Sequence, residues 1–137
     1  MKPLLAPLAE PAYALLRVVS GALFAFHGLQ KIFGVLTDQP QAAFGTQVWL
    51  GGIIELVGGL LIAVGLFASC AAFLASGTMA VAYIQFHWRF QLGAAFLPGV
   101  NQGEMAVIYC FLFLYVACKG SGCWALRPTP RAAAGVP

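Results

Sequence analysis

Residues 48–86 read VWLGGIIELVGGLLIAVGLFASCAAFLASGTMAVAYIQF, and Glu55 is the single charge among them. As one helix the run would be roughly 58 Å long at 1.5 Å per residue, whereas the hydrocarbon core of a bilayer is about 30 Å thick. The stretch must therefore fold back as two spans. Gly65 to Ser69 is the place for the break, which predicts helices over 47–67 and 69–88. So short a connection makes these two antiparallel neighbours.

Upstream lies a second apolar run. It opens at Pro11, holds only Arg17 as a charge, and closes in His27-Gly28-Leu29-Gln30-Lys31. This predicts a helix over 12–33, with Pro11 suited to its first turn and residues 1–11 as a tail. Pro3, Pro7 and Glu10 interrupt the segment where a signal peptide needs an apolar centre, so the run reads as a retained span. Downstream, Asn101 is a candidate N-cap with Glu104 three residues later, which predicts a fourth helix over 103–119. Residues 120–137 form a Gly-, Pro- and Ala-rich tail of the kind that stays disordered.

Composition agrees. The 137 residues are 61% hydrophobic and 8% charged, with a mean hydropathy of +0.89, far from soluble usage. The fold class expected is all-α, an integral membrane four-helix bundle in contact with the lipid bilayer. A net charge of +3 without any basic run excludes nucleic acid as a partner. Four spans put both termini on one side together with Lys2, Lys119, Arg127 and Arg131, opposite Lys31 and Arg89. The positive-inside rule then favours cytoplasmic termini in a cell inner membrane. Cys70, Cys110, Cys118 and Cys123 form no CxxC pair and read as structural, although Cys118 and Cys123 flank a turn across which they can pair or carry lipid. No metal site is legible.

The polar residues gather. His27 and Lys31 stand four apart on one helical face, and counting back in sevens from Lys31 reaches Arg17. Such a face looks into protein or water rather than lipid. Glu55, bracketed by Gly51, Gly52, Gly58 and Gly59, is the sharpest signal, because an ionisable group inside a membrane is a functional candidate by default. Its plainer reading is an ion pair with Lys31, Arg17 or Arg89 that locks the bundle. His27 and His87 admit three readings: axial ligands of a b-type haem, hydrogen-bond and proton partners of a quinone, or interface residues satisfied by backbone or water. Glu104 suits the positive end of a helix dipole without any further role, and Arg89 beside Trp88 suits an interfacial anchor. Met79, Tyr83 and His87, each four apart, are expected to form one wall of a pocket.

Taken in order, His27 to Lys31, Glu55 with Gly58-Gly59 and Gly65-Leu66, Met79-Ala80-Val81-Ala82 before His87, Asn101 to Glu104, and Gly120 to Trp124 resemble the DoxX family of small four-helix membrane proteins, over about residues 12–126. The resemblance implies association with membrane oxidoreductase systems, the family taking its name from a subunit of a thiosulfate:quinone oxidoreductase. It carries onto Arg17, His27, Lys31, Glu55, His87, Asn101 and Glu104. After Trp124 a Ser-Leu-Asp ending is common in the family, whereas this chain has Ala125-Leu126-Arg127. The function expected is a subunit of a quinone-linked oxidoreductase, with Glu55, His27 and His87 in the catalytic role and Lys31, Arg89, Asn101, Glu104 and Arg17 holding the cofactor. Electrons would come from a redox partner subunit or a bound cofactor, in a mixed or homo-oligomeric assembly. The alternatives are a non-catalytic scaffold or assembly subunit and a small transporter.

Overall fold

The computed structural model describes residues 4–127, and every regular element among them is helical. A 3₁₀ turn at Ala6–Leu8 leads into α1 (Ala9–Phe33). Then come α2 (Gln47–Val64), α3 (Ala68–Trp88) and α4 (Glu104–Lys119). Helix α1 starts inside the stretch read as a tail, with Pro11 still in its first turn, where a missing N–H costs nothing. Lys2 and Arg131, two of the charges behind the expected orientation, lie outside the described residues.

Three helices, α1 with its leading turn, α2 and α3, are long and apolar enough to cross a membrane. With its 16 residues, α4 is about 24 Å long, yet it runs the length of the bundle. Its last residue, Lys119, pairs with Glu10 at 2.7 Å, and the Tyr13 hydroxyl donates to the carbonyl of Gly120. The chain's two terminal segments and the turn between α2 and α3 therefore share one end, here the terminal end. The long connections 34–46 and 89–103 make up the loop end.

Helix ends follow local chemistry. Gly34 closes α1 in the left-handed conformation, its N–H on the carbonyl of Gln30. Gly65, at φ +72°, closes α2, and the N–H of Leu66 reaches back to the carbonyl of Leu61, a Schellman arrangement. Thr46 caps α2 by accepting from the N–H of Trp49. Asn101, expected as the N-cap of α4, does not take that position. It ends a separate turn, Pro98–Asn101, where its side chain accepts from the N–H of Gly103 and donates to the carbonyl of Ala95. Gly103, with no side-chain cap, precedes α4 instead.

Close packing of α1 on α2 rests on small residues. A Cβ placed on Gly28 would lie 2.3 Å from the backbone N of Leu56, and one on Gly59 would lie 2.4 Å from that of Ala25. Gly21, Ala25 and Gly28 thus face Gly52, Gly59 and Ala63 with backbones in contact, the usual solution where lipid removes the hydrophobic drive between helices. On the other side, α3 offers Ala71, Ala72, Ala75 and Met79 to α4, and Ser76 donates to the carbonyl of Cys110 at 2.8 Å. Phe24 of α1 packs against Tyr109 and, edge-on, against Phe113 of α4 in the middle. Helices α2 and α3 touch near their shared turn and part toward the loop end.

Arg17 is the buried anchor of the terminal end. Fully enclosed (0% exposed), it donates to the carbonyls of Ile62 and Ala63 at 2.5 and 2.8 Å and to those of Trp124 and Cys123 at 2.7 and 3.4 Å. The first pair are carbonyls of the last turn of α2, where the helix dipole is negative, and that of Ile62 also accepts from the N–H of Gly65. The N–H groups of Leu126 and Arg127 bond the carbonyls of Val64 and Gly65, strapping the tail segment onto the same helix end. Arg17 therefore does not join Lys31, despite the heptad spacing. It lies about 21 Å along α1 from it and binds backbone.

Candidate functional site

Where α2 and α3 part, they leave a cleft of about 730 Å³. Glu55 and Lys31 lie on one side of it, and His87 on the other near the loop end. Gly51, Ser76, Gly77 and Thr78 are among the remaining lining residues, and Phe73, Leu74 and Val81 border it with exposed apolar side chains. Gln47 and Gln85 bridge the helices by a 2.5 Å side-chain hydrogen bond.

Two irregularities shape the cleft. The turns Ile54–Gly58 and Tyr83–Trp88 are π-helical, and they carry Glu55 and His87 respectively. A π turn inserts an extra residue and re-aims the side chains beyond it, and such turns recur at functional sites. This displaces the expected pocket wall. Past Ala82 the helical register shifts, so Met79 stays in the core while Tyr83 donates to the carbonyl of Phe96. Of that trio only His87 lines the cleft. Single-sequence reasoning had no signal for either π turn.

Glu55 is 2% exposed, and its Oε1 accepts from Lys31 Nζ at 2.5 Å. Its other oxygen, Oε2, is buried without a hydrogen-bond partner. The ion-pair reading is thus met by Lys31, while Arg17 and Arg89 take no part. Lys31 keeps its ammonium toward the boundary, with 40% of its side chain exposed. His87 Nδ1 is 3.2 Å from the carbonyl of Asn101. A carbonyl can only accept, so Nδ1 carries the proton and Nε2 is left for a ligand.

Other expected members lie apart. His27 is exposed on the outer face of α1 and does not line the cleft. The two histidines therefore do not line the same cleft. Arg89, at φ +52°, bonds the carbonyl of Phe86 on the surface. Glu104 is exposed in the first turn of α4, beside a separate shallow depression with Gly99 and Met105. Asn101 acts from behind, through the carbonyl that orients His87. All four cysteines are free thiols, and Cys70 and Cys118 are exposed. Among the described residues no group of His, Cys, Asp and Glu is arranged to hold a metal ion.

The DoxX family model matches residues 12–88, a stretch that holds all but the first three residues of α1, the whole of α2 and α3, and all the side chains of this cleft. The chain belongs to the DoxX family. A protein of Haemophilus influenzae described as uncharacterized is 40% identical over 116 residues, covering 82% of this chain and 86% of its own. No solved structure matches. In this DoxX protein, family membership and the apolar helices together make it a membrane protein.

The pairing makes a test of its own. Lys31→Met strands a buried carboxylate and is expected to lower stability by about 3 kcal/mol or more, whereas Lys31→Met combined with Glu55→Leu should recover most of the loss. Denaturant unfolding of the four proteins of this double-mutant cycle measures both. If the double variant were no more stable than Lys31→Met alone, the pair would not be what Glu55 depends on.

Proposed function

We propose that this DoxX protein binds the head group of a membrane quinone, in its oxidised or reduced form, in the cleft between α2 and α3, as the membrane subunit of a quinone-linked oxidoreductase. One observation carries the reading: a cleft with apolar walls between two span-length helices is lined by Glu55, whose Oε2 is buried without a hydrogen-bond partner. A pocket with apolar walls and a few convergent polar groups is the usual form of a small-molecule site. Its volume of about 730 Å³ accommodates a substituted six-membered ring, and its exposed apolar border leaves an isoprenoid tail among the acyl chains. Glu55 and His87 are the groups able to exchange protons there, and Lys31 holds the carboxylate in place. Redox chemistry is supplied by the quinone and a partner subunit. Inner-membrane placement with cytoplasmic termini is part of the same proposal.

The test exploits two glycines. A Cβ on Gly51 or on Gly77 meets nothing within 4 Å, so a large side chain there enters the cleft without colliding with backbone. Wild-type protein in nanodiscs should bind a decyl-tailed benzoquinone, oxidised or reduced, saturably and above empty nanodiscs. Gly51→Phe should abolish this binding with thermal stability unchanged or raised, since it removes a helix-interior glycine. Absence of saturable binding of both forms by the wild type, or full binding by Gly51→Phe, would overturn the assignment. In a reconstituted complex that turns over, Glu55→Gln is expected to slow quinone-coupled turnover by about 10²-fold or more.

A further inference from the structure

The polar groups of the cleft are not balanced between donors and acceptors. Oε2 of Glu55 accepts and has no partner, and as the partner of an ammonium it belongs to a carboxylate, which has no proton to give. His87 donates through Nδ1 to the carbonyl of Asn101, so in the neutral ring Nε2 is a second acceptor. Both groups line the cleft. The donors are placed differently. Lys31 already spends one N–H on Oε1 and reaches water with the rest, its side chain being 40% exposed. The Ser76 hydroxyl donates to the carbonyl of Cys110, the Thr78 hydroxyl to that of Leu74, and the Gln47 amide, at the loop end of the cleft, to Oε1 of Gln85.

Leaving an ammonium proton to water costs little, whereas leaving a buried carboxylate oxygen unmet carries its whole desolvation penalty. The occupant that relieves the site is therefore one that donates. Glu55 lines the cleft with Oε2 buried, and the terminal torsion of a glutamate is broad and soft, so a rotation presents that oxygen to a ligand hydroxyl.

We infer that the cleft selects a ring bearing two hydroxyl donors, the reduced hydroquinone, over the oxidised quinone, which has only acceptors. This rests on the quinone reading proposed for the cleft and adds a direction to it. Glu55 and His87 Nε2 each take one hydroxyl proton in a hydrogen bond. The preference is a property of binding and needs no electron transfer.

The experiment compares dissociation constants of the decyl-tailed benzoquinone and its hydroquinone, measured anaerobically against the wild type in phosphatidylcholine nanodiscs. The reduced form should bind at least about tenfold more tightly. Preferential binding of the reduced member raises the midpoint potential of the bound two-electron couple, by about 30 mV for each tenfold, and a redox titration of the loaded nanodiscs reads this independently. In Glu55→Gln the amide can turn its NH₂ to the ligand, and the ratio should fall to about one or invert. Equal or tighter binding of the oxidised form by the wild type would overturn the inference and leave the quinone reading intact. Binding of neither form would instead remove that reading. Because the wild-type ratio is decisive alone, failure of Glu55→Gln to fold does not rescue the inference. A lipid head group supplies the same donor chemistry, so the measurement is repeated with phosphatidylethanolamine. Retained binding of the hydroquinone supports it as the occupant, and its loss would assign the acceptors to the lipid amine.

Discussion

Replacing Arg17 by Met is expected to destabilise the protein by about 3–5 kcal/mol. Met fills a similar volume, so the loss measures hydrogen bonding. Four backbone carbonyls, of Ile62, Ala63, Cys123 and Trp124, accept from this guanidinium, and each would be left, buried or partly buried, with fewer partners or none. Arg17→Lys should recover only part of the loss, because an ammonium has three donors around a point while the guanidinium holds a planar fork. The tail segment should loosen first, since Arg17 joins it to α2. Denaturant unfolding gives the free energy, and thiol labelling of Cys123, whose Sγ reaches the carbonyl of Glu10 at 3.4 Å, reports the loosening. Labelling that stays slow in Arg17→Met would mean the strap holds without its anchor.

Gly28→Ala is expected to cost about 3 kcal/mol, at the upper end for overpacking, and Gly28→Leu to prevent folding. The reason is what the added carbon meets. It would lie 2.3 Å from the N of Leu56 and 2.7 Å from the carbonyl oxygen of Gly52, and backbone cannot step aside as a side chain can. Helices α1 and α2 would have to separate. Lys31 lies one turn beyond Gly28, and Leu56 is next to Glu55, so the same separation would pull the ammonium from its carboxylate. Gly51→Ala is the control, since its Cβ meets nothing within 4 Å and alanine is the better helix former by about 1 kcal/mol. Unfolding of the three variants in one detergent tests the contrast. Equal stability of Gly28→Ala and Gly51→Ala would show that the backbones are not in contact.

Much of the architecture was legible because a bilayer allows few solutions. The apolar runs, their lengths and the Gly65 turn follow from helix rise and bilayer thickness, so α1 to α3 and their antiparallel order needed no coordinates. Glu55 as the focus also came from the sequence, since a lone carboxylate in 39 residues of apolar chain is costly wherever it lands. Its partner did not. Three cations were available, and only the contact at Gly28 and Gly52 sets the register that brings Lys31 to it.

The misreadings share one cause: regular periodicity was extended across places where packing breaks it. Heptad counting put Arg17 on the face of Lys31, and both do face α2, yet Arg17 was grouped with the cleft residues whereas carbonyls at the end of α2 hold it at the other end of the bundle. Four-residue spacing joined Met79, Tyr83 and His87, yet the π turn at Tyr83–Trp88 separates them. Asn101 looked like a cap, and the extra turn Pro98–Asn101 made it the support of His87 instead. Taken alone, the sequence determined how many apolar helices there are, how long they run and which charges are buried, because solvation energy depends on residue type and segment length. Only the tertiary structure decided which oxygen is left without a partner and which nitrogen of His87 meets a backbone carbonyl, because hydrogen bonds are directional and depend on where a neighbouring helix comes to rest.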